Sequence, residues 1–198
     1  STFTGLKLQG AIGKFGKVEL TDISSFVELP DGKVVSTSEA GALLLWEGSF
    51  IKVRDSWQSS NMRHLHSPLL CALFNQCRLV RPGKDSCHDG AVRVLLHARD
   101  GNAIISAGDD GAIRWWDFNT IDMAEVDSDN SMDFELTPTR ELVVGEGATI
   151  QWLERSLSSD VVDPHFLCVD LSGFLWRVPL VEGGAPTVLK RTHTGVIR

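Results

Sequence analysis

Three residues near the middle of the chain have the side chains of a serine hydrolase triad, namely His88, Ser106 and Asp110. In such a triad the histidine takes a proton from the serine, and the carboxylate orients the histidine. Ser106, however, lies inside a run typical of a β-strand, and no G-x-S-x-G turn presents it to a substrate. No pair of oxyanion-stabilising donors is evident beside it. The sequence therefore predicts no enzymatic activity.

Two other stretches contain residue types that bind cofactors. Gly10 to Lys17 is similar to a phosphate-binding loop, but its glycine spacing is one residue too long, and Val18 stands where a Ser or Thr would reach magnesium. Four metal-ligand side chains fall within 14 residues, but without C-x-x-C or H-x-x-x-H spacing. They are His64, His66, Cys71 and Cys77. The sequence predicts no metal, no cofactor and no small-molecule substrate.

The triad-like residues belong to one repeating unit, His88 to Phe118. Three apolar runs, Ala91–Ala98, Ala103–Ala107 and Ala112–Phe118, are separated by turns rich in Asp and Gly. Short runs joined by such turns predict an antiparallel meander.

This unit resembles a WD repeat, in which each repeat supplies the strands of one blade of a β-propeller. The resemblance implies that His88 donates to Asp110 and pairs with Ser106, and that Ser106 accepts from the indole N–H of Trp116. A buried chain of hydrogen bonds stabilises a blade only when every member is satisfied. The resemblance therefore implies a structural role for these four residues and an all-β fold.

A second unit aligns with the first without a gap. Val34–Glu47 matches Ile104–Asp117 at a constant offset of 70 residues, so that Ser36 corresponds to Ser106 and Trp46 to Trp116. Ala40 stands at the position of Asp110, and no histidine precedes this unit. We expect this blade to have its strands without the full polar network.

The offset of 70 is too long for blades that repeat every 40 to 45 residues or so. Removing Arg54–Cys77 reduces it to 46 and joins the predicted outer strand, Phe50–Val53, directly to Arg78. The segment is either a surface insertion or an artefact of the gene model such as a retained intron. In either case we expect it to be poorly ordered.

A third, weaker unit follows the acidic stretch between Asp122 and Asp133. Phe166–Val178 fits the strand-turn-strand frame, with Ser172 at the position of Asp110 and Val178 at that of the tryptophan. Strands at Glu141–Val144 and Thr149–Leu153 are expected before it. The predicted organisation is a blade at 14–53, an insertion at 54–77, a blade at 78–118, an acidic loop at 122–133, a degenerate blade at 134–192 and the start of another at 193–198.

About three four-stranded blades make only a partial propeller, because four to eight are needed to close the ring. The sequence therefore predicts a fragment of a larger propeller protein. Its net charge of −7 argues against nucleic acid and an anionic membrane as partners. No apolar run approaches the roughly 18 residues of a membrane span. Four tryptophans could either pack blades or form a partner surface, and these are Trp57, Trp115, Trp152 and Trp176.

Longer stretches are similar to one group of cilia- and flagella-associated WD-repeat proteins. They are Gly13–Lys17, Thr21–Ile23, Val27–Ser36, Leu43–Gly48, Ile51–Val53, Cys87–Gly90, Arg114–Phe118, Thr120–Asp122 and Glu141–Gly145. This resemblance implies a structural subunit of the axoneme that helps tether inner-arm dynein and so regulates ciliary motility. Its implied partners are the dynein heavy-chain motor region, a sister WD-repeat tether protein and the doublet microtubule. The alternative is a generic cytosolic WD-repeat adaptor that presents partners within a multiprotein complex.

Overall fold

A computed structural model describes residues 21–48, 74–98, 101–124, 133–145, 147–156, 163–181 and 183–191. These residues form thirteen strands and one helix of five residues. No helix among them is both long and apolar enough to cross a membrane. The strands are β1 (Phe26–Glu28), β2 (Val34–Thr37), β3 (Leu43–Gly48), β4 (Phe74–Val80), β5 (Val92–His97), β6 (Ala103–Gly108), β7 (Ala112–Asp117), β8 (Phe134–Glu135), β9 (Arg140–Val143), β10 (Ile150–Arg155), β11 (His165–Asp170), β12 (Phe174–Pro179) and β13 (Thr187–Arg191), and helix α1 is Phe118–Asp122.

The strands form three sheets in chain order. The first sheet has the order β1-β2-β3-β4-β8, the second β5-β6-β7-β9 and the third β10-β11-β12-β13. All neighbours pair antiparallel except β4 and β8. Each sheet therefore contains a four-stranded meander, and the predicted all-β fold of a partial propeller is confirmed.

Glycines allow the turn of one sheet to touch the start of the next. Gly41, between β2 and β3, has a φ of 89°, and a Cβ there would lie 2.3 Å from the carbonyl oxygen of His88. Gly111, between β6 and β7, has a φ of 72°, and its Cβ would lie 2.7 Å from the carbonyl oxygen of Ala148. Any other side chain would be strained at both positions and would separate consecutive sheets.

Two apolar interfaces hold the three sheets together. One is formed between the first and second sheets and the other between the second and third. Because each fully buried aliphatic or aromatic side chain contributes about 1.5–3 kcal/mol, these interfaces are the main source of stability. The first contains Val35, Leu43, Leu45, Leu79, Val92, Ile104, Trp116 and Leu136, and the second Ile105, Ala107, Ile113, Ile150, Leu153, Phe166 and Cys168.

The outer strand of the first sheet differs from the predicted one. Strand β4 pairs with β3 from Gly48 opposite Phe74 to Leu43 opposite Leu79. The sequence predicts residues 74–77 to be part of the insertion, but they are strand residues, because the six residues of β3 pair with them and with Arg78 and Leu79. The predicted outer strand Phe50–Val53 lies outside the described residues, and so do residues 54–73.

The outer strand of the second sheet also falls outside its predicted range. Strand β9, which was assigned to the third unit, pairs with β7. The acidic stretch from Asp122 to Asp133 thus belongs to the connection between β7 and β9 within one sheet, although residues 125–132 lie outside the described part. Sequence spacing favoured a boundary here, because a connection of 22 residues is long for two adjacent strands.

This long connection ties the first two sheets together at their rim. Strand β8 pairs parallel to β4, with Leu79 opposite Phe134, and the amide of buried Leu136 donates to the carbonyl of Val80 at 2.7 Å. Helix α1 places Ile121 in the same apolar interface, and Lys33 of the first sheet pairs with Asp122 at 2.9 Å. The connection therefore covers the outer edge of the first sheet, which would otherwise expose unpaired backbone groups.

We predict that a chain lacking residues 54–77 folds with the same register. The deletion puts Ile51–Val53 in the places of Asn75–Cys77, with Gly48–Phe50 as a three-residue turn after β3, and Val53 takes the buried place of Cys77. Because valine is more strongly strand-forming and more apolar, the melting temperature should be equal or higher.

The measurement is thermal unfolding followed by circular dichroism. Deletion of residues 58–81 is a control of equal length, and it removes the whole of β4 and should abolish cooperative unfolding. Loss of cooperative unfolding in both variants would contradict the prediction.

Candidate functional site

The structure brings four of the sequence-predicted residues into one chain of hydrogen bonds. His88 Nδ1 lies 2.8 Å from Asp110 Oδ1, and His88 Nε2 lies 2.6 Å from Ser106 Oγ. The indole N–H of Trp116 donates to Ser106 Oγ at 2.7 Å. The order carboxylate, histidine, serine is that of a hydrolase triad, with an indole added at its end.

Three different elements position these side chains. His88 precedes β5, where its amide donates to the carbonyl of Gly41 in the first sheet at 3.0 Å. Ser106 and Trp116 lie on the neighbouring strands β6 and β7 and face the same side. Asp110 lies in the turn between them and accepts from the amides of Asp89 and Ala112 at 3.1 and 3.2 Å. One carboxylate thus joins the turn to the segment that enters the sheet.

Two charged residues that are not among the predicted site residues complete the network. Arg114 is 4% exposed, and its Nη1 lies 2.6 Å from Asp110 Oδ2 while its Nε lies 2.6 Å from Glu141 Oε2. A signal for Arg114 exists in the sequence, since it precedes Trp116 by two residues and therefore shares its face of the strand. No local sequence pattern predicts the role of Glu141, because it lies in β9, which follows the long connection from β7.

Burial and charge pairing fix the protonation states of the network. Burial lowers the pKa of His88, and although Asp110 opposes this effect, the histidine stays neutral at pH 7. Burial raises the pKa of Asp110, but His88 and Arg114 outweigh it and hold that pKa well below its ordinary value. In one neutral tautomer of His88, Nδ1 donates to Asp110 and Nε2 accepts the Ser106 proton; in the other, Nδ1 accepts from Arg114 Nη1, which lies 2.8 Å away, and Nε2 donates to Ser106. Both ring nitrogens of His88 therefore have a partner in either tautomer.

The arrangement lacks the access that catalysis requires. His88 and Ser106 are both 0% exposed, and the oxygen of Ser106 is already bonded on two sides. A nucleophile must be within reach of the substrate atom that it attacks. The triad-like geometry therefore joins β6, β7 and the segment before β5, and its serine is not accessible to a substrate.

The first sheet has a shorter version of the network. The indole of Trp46 donates to Ser36 Oγ at 2.8 Å, and both residues are buried. The two pairs are matched in sequence separation and in distance, but among the described residues no histidine is bonded to the serine of the first sheet. Ala40 stands in the turn, as the alignment indicated.

The third sheet uses an aspartate in place of the serine. The indole of Trp176 donates to Asp170 Oδ2 at 2.8 Å, and the amide of Phe174 donates to Oδ1 at 3.0 Å. Ser172 and Val178, which the alignment placed at the network positions, do not take part in this contact. The residues that form the contact, Asp170 and Trp176, each lie two positions before the aligned ones. The sequence signal for them is an aspartate followed by a tryptophan six residues later.

The other candidate sites fall largely outside the described residues. This applies to Gly10–Lys17, His64, His66, Cys71 and Trp57. Cys77 is buried in the first interface, and burial raises the pKa of its thiol. Trp115 and Trp176 are partly buried in the second interface, whereas Trp152 is 42% exposed.

Comparison with known proteins gives relatives from three distant organisms. The chain is 38% identical to cilia- and flagella-associated protein 44 of Mus musculus over 99% of its length, and 44% identical to the protein of that name from Chlamydomonas reinhardtii over 93%. It is 35% identical to the Trypanosoma brucei brucei protein over 92%. The matches cover 9%, 9% and 10% of those relatives, so the chain spans about a tenth of their length. No family model matches the chain.

We predict that Ser106→Ala destabilises the protein more than Ser36→Ala. Both substitutions leave a buried indole N–H without an acceptor, but only the first also removes the partner of His88. Because each buried unsatisfied group costs about 1–3 kcal/mol, the Ser106 variant should lose about twice as much free energy of unfolding. Urea denaturation of the two variants side by side measures this, and equal losses would contradict a special role for the longer network.

We predict that acid destabilises the protein in two steps. The pKa of His88 is lower in the folded state than its ordinary 6.5, so the unfolded chain takes up a proton that the folded chain refuses, and stability falls as the pH drops below about 6.5. The pKa of Asp110 is also lowered, and the stability that it provides is lost below its ordinary 3.8. Urea denaturation between pH 7.5 and 2 measures the first step and the beginning of the second. The His88→Gln variant should lack the first step. If its free energy of unfolding fell with pH as steeply as that of the unmodified protein, the first step would not be due to His88.

Proposed function

The chain belongs to the family of cilia- and flagella-associated WD-repeat proteins, and from this premise we propose that it is part of a non-catalytic scaffold of the axoneme. We place it in the cilium or flagellum, as the names of the three relatives do for those proteins. In this proposal its sheets are propeller blades whose rims and loops hold other axonemal proteins in fixed positions.

One observation carries the non-catalytic part of the proposal. The residues whose side chains could act in catalysis, Ser106 and His88, are 0% exposed and form their hydrogen bonds inside the second sheet. A buried network in which every member is paired rigidifies its surroundings. We therefore propose that His88, Ser106, Asp110 and Trp116 hold the blade rigid, as Ser36 and Trp46 do in the first blade.

Rigidity has a direct use in a scaffold. Partners held on two consecutive blades keep their relative positions only when the blades do not move against each other. Hydrogen bonds between the first and second sheets serve this purpose, including Val92 amide to Ser38 carbonyl at 3.0 Å and Leu95 amide to Ser25 Oγ at 3.2 Å. Helix α1 and strand β8, which belong to the long connection between β7 and β9, add further contacts between the two sheets.

The finer part of the proposal concerns the partners. We propose that the scaffold tethers the motor region of inner-arm dynein to the doublet microtubule together with a sister WD-repeat protein, and so regulates motility. The resemblance of Leu43–Gly48, Arg114–Phe118 and Glu141–Gly145 to that group supports this proposal.

We predict that the full-length protein remains in axonemes after high-salt washing and cross-links to a dynein heavy chain. The exposed lysines Lys84 and Lys190 are suitable reporters, because amine-reactive reagents reach them. Mass spectrometry of cross-linked axonemes identifies the partner peptides and also any peptide that joins Val53 directly to Arg78.

Different results distinguish the dynein tether, the ciliary scaffold and the cytosolic adaptor. Cross-links to other axonemal proteins, with none to dynein, would retain the ciliary scaffold and reject the dynein tether. Abundance in the cytosol with absence from axonemes would reject the ciliary scaffold and favour a cytosolic adaptor. Cytosolic subunits of known location, measured in the same fractions, provide the control for contamination.

A further inference from the structure

The strands of the first two sheets are interleaved in the chain, whereas those of the third sheet follow one another. Strand β8 lies between β7 and β9 in the sequence, but it pairs with β4 of the first sheet, while β7 and β9 pair with each other in the second. Strands β10, β11, β12 and β13 form the third sheet in chain order. The first and second sheets therefore share an element.

Residues 118–124 and 133–136, which we name the strap, fill the outer part of the interface between the first and second sheets. Ile121 and Leu136 are both 0% exposed, Ala124 is 2% exposed, and all three belong to this apolar interface. The amide of Leu136 also donates to the carbonyl of Val80 in the first sheet. Displacement of the strap would therefore expose apolar side chains of both sheets to water.

Ion pairs fix both parts of the strap on the first sheet. Lys33 Nζ lies 2.9 Å from Asp122 Oδ1, and Arg78 Nη1 lies 3.2 Å from Asp133 Oδ2. Each pair joins a basic residue of the first sheet to a carboxylate of the strap. Because partly exposed ion pairs contribute little free energy, they set the position of the strap, and its buried aliphatic side chains provide most of its stability.

The second and third sheets are joined in a different way. Apolar side chains form most of their interface, among them Ile105 of the second sheet and Phe166 of the third. Arg140 Nη2 adds a hydrogen bond to the carbonyl of Leu180 at 2.7 Å. Apolar contacts are non-directional, so they resist sliding and rotation less than paired strands do. In the described part of the chain, the connection between β12 and β13 adds no strand to the second sheet.

From this interleaving we propose that the first and second sheets open as one cooperative unit, that the third sheet opens separately, and that their interface acts as a hinge. Proteins open locally in units that often coincide with one supersecondary motif. Here the larger unit contains two sheets, because the strap belongs to both. Strand β13 exposes all five of its residues, which favours a lower free energy of opening for the third sheet.

The hinge has a mechanical consequence. Groups held on the first two sheets keep a constant separation, whereas a group held on the third sheet can change its position relative to them. This inference goes beyond the proposed function, because it concerns the movement of the sheets and does not depend on which partners the chain binds.

The test is native-state hydrogen exchange of the full chain at low urea concentrations, read by mass spectrometry of peptides. Amides of β3 and β6 should exchange through one opening with the same free energy and the same dependence on urea. Amides of β11 and β12 should exchange at least about tenfold faster and with a smaller dependence on urea, because their opening exposes less surface.

Two buried leucines provide matched substitutions, since Leu136 of the strap is 0% exposed and Leu153 of β10 is 2% exposed. Leu136→Ala should speed exchange in the first and second sheets by the same factor, about a hundredfold, and leave the third unchanged. Leu153→Ala is the control and should speed exchange in all three sheets, because the third sheet is open in both openings. Ile121→Val should reproduce the pattern of Leu136→Ala with about a fivefold effect, so the test does not depend on the folding of the alanine variant.

Two results would overturn the inference. Equal acceleration of all three sheets by the strap variants would show a single cooperative unit without a hinge. Acceleration of the first sheet without the second would show that the strap does not couple them. Neither result affects the proposed scaffold function, which is decided by the fractionation and cross-linking of axonemes, and absence from axonemes would in turn leave the hinge in place.

Discussion

The second sheet depends on the hydrogen bonds and the ion pair that the carboxylate of Asp110 forms. This carboxylate contacts His88, the amides of Asp89 and Ala112, and Arg114, and so it joins the entry of the sheet, a turn and the third strand. A carboxylate with so little exposure must be paired, because an unpaired buried charge costs several kcal/mol. Arg114 supplies the opposite charge and Glu141 balances the arginine, which adds the outer strand β9 to the same network. All four strands are thereby connected, three of them through side chains of the network and β5 through the segment that precedes it.

Each of the three sheets provides a hydrogen-bond acceptor for the indole N–H of a tryptophan, and the acceptor differs from sheet to sheet. Each places a tryptophan on its third strand with the indole N–H buried or partly buried, and each supplies a different acceptor. The acceptor is Ser36 in the first sheet, Ser106 with the histidine and aspartate behind it in the second, and Asp170 in the third. The shared requirement is satisfaction of the indole, since a buried donor without a partner is costly. This explains why the repeats look degenerate in sequence and yet form the same kind of sheet.

The strands and turns of each unit could be predicted from the sequence, whereas the outer strands could not. Runs such as Ala103–Gly108 and Ala112–Asp117 are apolar and bounded by Asp-Gly turns, so local pattern decides them. Strands β4 and β9 contain Asn, Gln, Arg and Glu, and only pairing with a neighbour makes them strands. The identity of such an edge strand depends on which segment reaches the open backbone of β3 or β7. That depends on tertiary structure, which local sequence patterns do not encode.

The candidate site was predictable to the same extent and for a related reason. Ser106 and Trp116 could be connected through the repeat pattern, because the strand register fixes their separation. Arg114 has a charge on a buried face, which a pattern of apolar residues treats as an exception, and its partner Glu141 is 27 residues away. The hydrogen bond from the His88 amide to the Gly41 carbonyl lies further beyond sequence reasoning, since its two groups come from segments of two sheets. Features within one hairpin are therefore accessible from sequence, and features that require two sheets to pack are found only in the folded chain. The proposed scaffold function depends on features of the second kind, because contacts between sheets exist only in the folded chain.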